Sequence, residues 1–593
     1  MFQAERDTAE AKIRAYCVEH KLPDNLEFNW VPIPFGGEWG ISTSFFQLAA
    51  QEARAIKERT GNGVNVPDLA HDIAQGVAEY LGTPVGFMRV EALRGYLNLY
   101  FATADYARRV VDDVLIHQEG FGRTERNGER ILVEFSQPNT HKAFHVGHLR
   151  NVVLGDAICN ILDAAGFDVI RANYINDSGL HTIKWLWNYQ SYHVGEKPGE
   201  DKTRWMGDLY AEANQRVEGS AEAEKEVRAL YARWDQRDPD VMALWRETRQ
   251  WSLDGFDQIY ELLGIRFDHI FYDHEMEKPG QELVESLIDQ GIAEDERPEG
   301  PVIIRLDDLL GLQKEKYRVL VILRSDGTSL YATKDLPLAL AKFAKFNPHR
   351  SVYVIDVRQS LYLQQIFKTL AIMGYPEWAE RCYHMSYEIV NLPGNVTIAS
   401  REGTVVLLED LIREAKARAM QVVQEKNPSL SADEMEAIAQ AVALGAIKYP
   451  MLSRDNTRVV TFDWESALDF NGQAAPYIQY ACVRGASILR RAAEALPRST
   501  LATYELEPSE IELIDLISRV PGEIVRSAKD FKPLLVATIA FELAQAFNDF
   551  YMQCPVIQAP DNQREFRLRL VAAARQVLEN LLNILGIPAP QVM

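Results

Sequence analysis

One short stretch, Ile131 to Ala165, restricts the fold of this chain more than any other. It begins with Ile131 to Phe135, an apolar run of β-favouring residues that ends before Pro138-Asn139. From Val146 onward, apolar residues recur at helical spacing until Gly166. A strand, a polar turn and a helix in this order form half of a βαβ unit. The chain is therefore predicted to contain an α/β domain with a parallel sheet.

Two histidines stand where this helix begins. A helix N-terminus has unpaired N–H groups and the positive end of the helix dipole, which suits a polyphosphate, and Gly147 lets a ligand approach the backbone closely. His145 and His148 are three residues apart, so both can donate to a phosphate. The alternatives are a metal-binding pair or two chance histidines in a turn. No nearby Asp, Glu or Cys completes a ligand set, so no metal site is predicted.

The sequence HVGH at 145–148 resembles the HIGH signature of class I aminoacyl-tRNA synthetases. The wider string FSQPNTHKAFHVGHLR is similar to the form of that signature in arginyl-tRNA synthetases. Two further segments resemble the same enzymes, RSDGTSLYATKD at 324–335 and DVRQS at 356–360. The resemblance implies a Rossmann-like doubly wound catalytic domain that binds ATP through His145, Gly147 and His148.

The same segments suggest a pocket for L-arginine. A guanidinium is planar and permanently charged, so its selection over lysine requires carboxylates that pair in its plane. Glu134 and Asp335 are the candidates, and Tyr331 would close the pocket. In the resemblance, two neutral acceptors match the positions that take the substrate's α-amino group, namely Asn139 and Gln359. For each carboxylate alone, a solvated charge or a helix N-terminal acid remains an alternative.

The chain departs from the family pattern at two places. Tyr362 stands where the family usually has histidine. The mobile KMSKS loop is matched near 397–404 with Thr397 in place of its first lysine, although Ser400 and Gly403 for ATP and Arg401 for catalysis are kept. Family members without that lysine commonly have one where Lys142 stands. We therefore expect Lys142, with Arg401 and Mg²⁺, to neutralise charge during adenylate formation.

Composition limits the remaining possibilities. At ~150 residues per domain, 593 residues predict three or four domains, and no apolar run approaches the ~18 residues of a membrane span. The five scattered cysteines contain no C-x-x-C, so a zinc ribbon or a disulfide framework is not expected, and we expect a cytoplasmic protein.

The net charge of −22 argues against binding of nucleic acid through overall charge. Residues 441–593, however, carry 12 Arg and 3 Lys against 17 Asp plus Glu, a net of −2. Local patches, not overall charge, would therefore have to supply any affinity for RNA.

Three domains are predicted. Residues 1–125 alternate helical and strand patterns and form a small α+β domain that, by the resemblance, reaches the tRNA elbow. Residues 126–440 form the catalytic domain, with a charged, tryptophan-containing helical insertion near 190–265 that is expected to pack rather than to stack on RNA. Residues 441–593 form an all-α bundle resembling the anticodon-binding domain. The candidate tRNA contacts are Asn98, Tyr477, Gln479 and Arg484, with core packing as the alternative for Tyr477 and a polar strand position for Asn98.

The resemblance therefore implies an arginine–tRNA ligase that uses ATP, Mg²⁺, L-arginine and tRNA(Arg), and monomer is the family expectation. Two other hypotheses remain open. One is a non-catalytic tRNA-binding paralogue that kept the fold after its loop decayed, and the other is a class I synthetase for another amino acid. The intact candidate pocket disfavours the first, and its two carboxylates disfavour the second.

Overall fold

The computed structural model describes residues 3–23, 28–33, 39–392, 396–397, 407–426, 428–493 and 495–593. The chain divides into two compact units. The first holds residues 1–121, 481–520 and 542–578, and the second holds residues 122–480, 521–541 and 579–593.

The amino-terminal part of the first unit is an α+β fold. An antiparallel sheet has the order β1-β2-β4-β3, and helices alternate with its strands along the chain, as the sequence pattern predicts. The elements are α1 (Gln3–Glu19), β1 (Val31–Pro32), β2 (Gly40–Ser44), α2 (Phe46–Thr60), α3 (Val66–Leu81), β3 (Phe87–Leu93), β4 (Tyr96–Phe101) and α4 (Thr103–His117).

The second unit is built around a five-stranded parallel sheet, as predicted. Its strands are β5 (Arg130–Glu134), β6 (Asp168–Ile175), β7 (His269–Tyr272), β11 (Arg350–Asp356) and β12 (Cys382–Tyr387), in the spatial order β12-β11-β5-β6-β7. β6 and β7 follow β5 on one side of the sheet, and β11 and β12 lie on its other side, so the direction in which successive strands are added reverses between β5 and β11. Doubly wound sheets bind ligands outside the carboxyl ends of the strands at such a point.

Helix α5 (Val146–Ala164) connects β5 to β6 and packs directly on the sheet. Gly155 lies against the ring of Phe135, where a Cβ would overlap the ring carbons. The absence of a side chain at Gly155 therefore allows the close helix–strand contact that fixes the start of α5 relative to the strand ends.

The apolar run Leu320 to Leu323 reads from the sequence as a strand that begins the second half of the nucleotide fold. The strand exists, but it lies outside the parallel sheet. β10 (Val319–Leu323) pairs antiparallel with β9 (Val302–Arg305) in a separate sheet that also contains β8 (Glu294–Asp295). Val319 and Val321 are exposed, whereas Leu320 and Ile322 are buried. Such alternation suits an antiparallel sheet with one solvated face, not a parallel strand buried on both faces. The second half of the parallel sheet therefore begins at β11.

The helical insertion lies between β6 and β7. It consists of α6 (Leu180–Tyr192), α7 (Lys202–Val217), α8 (Ala221–Asp235) and α9 (Pro239–Leu263). Its tryptophans form one packed cluster in which Trp185, Trp234 and Trp245 are buried. The expectation that these rings pack instead of stacking on RNA is consistent with this burial.

The carboxyl-terminal region is helical, as predicted. No described helix is long and apolar enough to cross a membrane. The remaining elements are α10 (Glu277–Asp289), α11 (Leu306–Leu309), α12 (Tyr331–Phe346), α13 (Ser360–Ile372), α14 (Pro376–Arg381), β13 (Val390–Leu392), β14 (Val396–Thr397), α15 (Leu408–Lys426), α16 (Ala432–Leu452), β15 (Val460–Thr461), α17 (Trp464–Ala467), α18 (Ala475–Ala492), α19 (Pro508–Asp530), α20 (Pro533–Gln553) and α21 (Asp561–Ile584).

Candidate active site

A cavity of about 310 Å³ lies at the carboxyl ends of β5, β6, β7 and β11, where the strand order reverses. All five residues predicted to bind the small substrate line it: Glu134, Asn139, Tyr331, Asp335 and Gln359. They come from separate parts of the chain, and the fold brings them together around one space. The other lining residues are Gln137, Tyr174, Asn176, Asp273, Leu338, Tyr353, Ile355, Tyr362, Leu363 and Ile366.

Glu134 is buried and already has partners within the protein. Gln137 donates its Nε2 to Oε1 of Glu134 over 3.1 Å, and the ammonium of Lys342 forms an ion pair with Oε2. Lys342 is 0% exposed, and its Nζ lies 4.1 Å from the centre of the Tyr353 ring. A buried lysine therefore already pairs with Glu134, which lines the cavity as the prediction requires.

Asp335 has a different environment. The hydroxyl of Tyr362 donates to its Oδ2 over 2.6 Å. Burial raises the pKa of Asp335 from 3.8 to about 7, against the lowering effect of the Tyr362 hydrogen bond, and the charge of Glu134 adds to the rise. Asp335 therefore titrates near neutral pH.

Asp273 was missed by the sequence prediction. It follows β7 directly and lines the cavity, and it accepts hydrogen bonds from Tyr174 Oη over 3.0 Å and from Lys334 Nζ over 2.6 Å. Its position offered a signal, because a polar residue just after a strand of a parallel sheet lies at the ligand-binding edge. The signal for Lys342 was its spacing, since it follows Asp335 by seven residues and so shares a helix face with it.

The turn between β5 and α5 has unusual backbone geometry. Ser136, Gln137 and His141 have φ values of +77°, +47° and +59°, a region that non-glycine residues seldom adopt. Asn151 accepts the Ser136 N–H over 2.6 Å, and Asn173 accepts the Gln137 N–H over 3.1 Å. Two buried asparagine side chains thus satisfy the backbone groups that this conformation leaves without partners.

The two histidines of the helix start lie together, with ring centres 3.9 Å apart. Nδ1 of His145 accepts the Gly147 N–H over 3.1 Å, and Nδ1 of His148 accepts the His145 N–H over 3.2 Å. Burial lowers the pKa of His145 to about 4 and that of His148 well below 6.5, helped by the charge of Lys142. Both rings are therefore neutral at pH 7 and carry their proton on Nε2, which leaves that N–H as a donor.

Gly147 has a local role besides the one predicted. A Cβ at this position would lie 2.7 Å from Cε1 and 2.8 Å from Nδ1 of His145. Only glycine allows the His145 ring to fold back over the first turn of α5 and accept the Gly147 N–H.

Lys142 lines a second, larger cavity of about 1030 Å³ that shares Asn176, Asp273 and Tyr331 with the first. Its Nζ lies 5.0 Å from the centre of the Tyr210 ring in α7, a cation–π contact. In the same helix, a Cβ on Gly207 would lie 2.6 Å from Cβ of Ala143. The insertion therefore packs against the loop that carries Lys142.

Asp177, in the Asn-Asp-x-Gly turn after β6, is fully buried. Although burial opposes it, hydrogen bonding to His274 and the charge of Arg249 lower the pKa of Asp177. Arg249 donates Nε to Asp177 over 2.6 Å, and the His274 N–H donates over 3.0 Å. Asp177 thus links the insertion to the end of β7, while its neighbour Asn176 lines both cavities.

Three of the predicted site residues, Ser400, Arg401 and Gly403, lie outside the described residues. In the part of the chain that the structure describes, no group of three or more His, Cys, Asp or Glu residues could hold a metal ion. The five cysteines all lie in the described part of the chain, and none of them forms a disulfide bond.

The candidate RNA-binding residues differ in exposure. Asn98 is 8% exposed on β4, and Gln479 is 0% exposed, with Nε2 donating to the carbonyls of Ala441 over 3.0 Å and Pro588 over 2.7 Å. RNA contacts at Asn98 and Gln479 conflict with this burial, because neither amide is presented to solvent. Tyr477 and Arg484 are part-exposed, with the Tyr477 ring centre 5.4 Å from that of Phe541 and Arg484 hydrogen-bonded to Asn548.

Two family models match the chain. Residues 110–464 match the catalytic domain of class I (R) tRNA synthetases, and residues 478–593 match the DALR anticodon binding domain. The arginine–tRNA ligase of Treponema denticola is 33% identical over 516 residues, covering 85% of this chain and 86% of that protein. The arginine–tRNA ligase of Bdellovibrio bacteriovorus is 32% identical over 510 residues, covering 84% and 86%. The Thermus thermophilus arginyl-tRNA synthetase structure aligns with 99% of this chain and 100% of its own, with a TM-score of 0.79 and 26% identity.

Proposed function

The chain belongs to the arginine–tRNA ligase family, and from this premise we propose how its residues divide the work of the reaction. The enzyme activates L-arginine with ATP and then esterifies tRNA(Arg). In the first step an oxygen of the arginine carboxylate attacks the α-phosphorus of ATP, the bond to the β-phosphate oxygen breaks, and pyrophosphate leaves. In the second, a hydroxyl of the terminal ribose attacks the carbonyl carbon and AMP leaves. Neither step needs a covalent bond to the protein, so positioning and electrostatics supply the catalysis.

The smaller cavity is proposed as the arginine site. The observation that carries this proposal is the convergence of all five predicted residues on one cavity at the point where the strand order reverses. Asp335 would pair with the guanidinium and Tyr331, which is 67% exposed, would cover it. Asn139 and Gln359 would accept hydrogen bonds from the α-amino group.

The phosphates are proposed to lie against the start of α5. His145 and His148 would donate their Nε2–H groups, and Gly147 belongs to the same turn, with the positive end of the helix dipole behind it. Neutral imidazoles suit this role because they add directed donors without repelling the Lys142 ammonium. From the sequence alone, Ser400 and Gly403 are proposed to contact ATP and Arg401 to assist catalysis.

Mg²⁺ fits this site only as a companion of ATP. The described residues offer no carboxylate or histidine cluster for a dedicated ion, so phosphate oxygens and water would supply its ligands. Bound in this way, Mg²⁺ would neutralise phosphate charge. Lys142, which lines the larger cavity, would supply a protein cation for the same phosphates.

The tRNA contacts are proposed on two surfaces. The loop Phe470 to Pro476, with the part-exposed Tyr477 and Arg484, would receive anticodon bases, and residues 1–125 would reach the tRNA elbow. The domain limits of 1–125, 126–440 and 441–593 belong to this proposal. Because tRNA is charged where ribosomes use it, we place the enzyme in the cytoplasm, acting as a monomer.

The function is tested by ATP–pyrophosphate exchange with arginine, lysine or glutamate, each with and without tRNA(Arg). Exchange with arginine that requires tRNA(Arg) is expected. No exchange under any condition would favour a non-catalytic tRNA-binding protein, and exchange with lysine or glutamate instead would contradict the arginine assignment.

Lys142 gives a prediction of its own. Lys142→Ala is expected to slow adenylate formation more than ~10-fold, about 1.4 kcal/mol of transition-state stabilisation, because the loop of this chain has Thr397 in place of a lysine. Single-turnover measurement of adenylate formation checks this, with Lys142→Arg as the charge-preserving control. A loss below ~10-fold for Lys142→Ala would mean that Lys142 does not stabilise this transition state.

A further inference from the structure

The main chain of the loop before the HVGH sequence is fixed by the helical insertion. His141 is 0% exposed, its N–H donates to Oγ of Ser252 over 2.9 Å, and its Nε2 lies 2.9 Å from Oγ1 of Thr248. Both hydroxyl groups belong to α9. The backbone position of the next residue, Lys142, is therefore set by packing. Its long side chain, however, needs a contact of its own to hold the ammonium in one place.

One side of helix α7 in the insertion faces this loop. Arg204, Gly207 and Tyr210 follow one another at intervals of three residues, so they share a side of the helix. Gly207 lets Ala143 approach the helix closely, and Arg204 forms an ion pair with Asp410 at the start of α15. Another side of α7 is buried in the tryptophan cluster. The helix is thus held by several neighbours, and Tyr210 has a fixed place beside the loop.

Lys142 has an aromatic partner in place of an acidic one. Its Nζ lies 5.0 Å from the centre of the Tyr210 ring, and among the ion pairs of the described residues none includes Lys142. A carboxylate at this place would cancel the ammonium charge. The face of a ring attracts the ammonium but leaves its net charge unchanged. The contact with Tyr210 therefore orders the side chain while it preserves the positive charge.

The charge of Lys142 acts on the helix start that is proposed to hold the phosphates. Burial lowers the pKa of His145, His148 and His181, and the charge of Lys142 lowers each of these pKa values further. His145 and His148 carry the Nε2–H groups proposed as phosphate donors. The ammonium beside Tyr210 is therefore close enough to this turn to influence a charge that develops there.

We propose that Tyr210 is a positioning residue for adenylate formation, because its ring holds the Lys142 ammonium beside the start of α5 without neutralising it. This inference rests on the proposed role of Lys142. Without the ring, the Lys142 side chain would sample several rotamers, and it would have to be ordered as the transition state forms. Tyr210 is not among the described residues that line either cavity, so it acts through Lys142 and not by contact with a substrate.

Tyr210→Leu tests this role in single-turnover adenylate formation with saturating ATP and arginine and with tRNA(Arg) present. Leucine is apolar but has no π face, so the rate is expected to fall about 5- to 10-fold. The KM for arginine is expected to stay within about 2-fold, because the ring holds a group that acts on the phosphates. Tyr210→Phe keeps the ring face and is expected to restore the rate to within about 2-fold of the wild type.

Tyr192→Leu is the matched control. Cζ of Arg216 lies 3.8 Å from the centre of the Tyr192 ring, so this variant removes a cation–π contact from the same insertion. Tyr192 is 51% exposed, and it too is absent from the described linings of the two cavities. Its replacement is expected to leave the rate of adenylate formation within about 2-fold.

Tyr210→Leu in a Lys142→Ala background separates positioning from packing. If the ring acts through Lys142, its loss should change the rate by less than about 2-fold once the ammonium is gone. An equal loss in both backgrounds, a wild-type rate for Tyr210→Leu, or a Tyr210→Phe variant as slow as Tyr210→Leu would overturn the role of Tyr210. A wild-type rate for Lys142→Ala alone would instead overturn the role of Lys142 on which the inference rests.

Discussion

Asp335→Asn is expected to lower kcat/KM for arginine by at least about 100-fold. Among the described residues, Asp335 is the one carboxylate of the cavity that forms no ion pair, and loss of one partner of a buried charge pair costs roughly 2–5 kcal/mol. Asparagine keeps the size of the side chain and can still accept a hydrogen bond from Tyr362. The expected loss is therefore one of charge, and it should fall mainly on the KM for arginine, as aminoacylation kinetics at pH 8 would show.

Asp356→Asn is the matched control for this variant. Asp356 ends β11 close to the same edge of the sheet, but it pairs with Arg358 and does not line the cavity. Its replacement should leave the KM for arginine within about 2-fold, as for most surface ion pairs. A loss in Asp335→Asn no greater than in Asp356→Asn would remove Asp335 from the arginine site.

Replacement of His148 is the second change with a large expected effect. His148→Asn keeps an acceptor near the place of Nδ1 but has no group at the place of Nε2, so adenylate formation is expected to fall about 100- to 1000-fold, as for loss of an oxyanion donor. His148→Gln can place an amide N–H near the lost Nε2 and is expected to retain at least 10-fold more activity than His148→Asn. Single-turnover adenylate formation with saturating ATP measures both.

The pair of variants separates donation from folding. Both remove the His148 ring from its contact with Phe144, where the ring centres are 4.9 Å apart, so a packing defect would affect both equally. Equal rates for the Asn and Gln variants would mean that the Nε2–H of His148 does not contact the reacting phosphates. Because the pKa of His148 lies well below 6.5, the wild-type rate should not fall between pH 7 and 9 through titration of this ring.

Much of the fold could be predicted because the apolar spacing of each segment agrees with the surface that the segment buries in the folded chain. The strand at 131–135 and the helix after it are buried elements whose apolar spacing is set by the sheet they pack on. β10 shows where this fails. Its apolar run looks like a parallel strand, and only the exposure of Val319 and Val321 reveals that one face meets solvent.

The candidate site likewise has features that the local sequence predicts and features that only tertiary packing decides. The cavity-lining residues could be identified from strand ends and from motif resemblance, but their charge states could not. Lys342 lies on a helix face that reads as amphipathic, and its burial beside Glu134 depends on the packing of α12 against the sheet. Likewise, the sequence does not indicate that Gln479 turns inward to the carbonyls of Ala441 and Pro588. Partner choice among distant residues is a tertiary property, and it decides which polar groups remain available to a ligand.

Isothermal titration of arginine and of citrulline into the wild type and Asp335→Asn tests the central claim most directly. At pH 8 most Asp335 carboxylates are ionised, because the pKa is about 7. Arginine is expected to bind the wild type at least ~100-fold more tightly than citrulline, which has the same shape without the charge, and Asp335→Asn is expected to lose this preference. Arginine binding by Asp335→Asn that is as tight and as selective as in the wild type would contradict the assignment of the cavity.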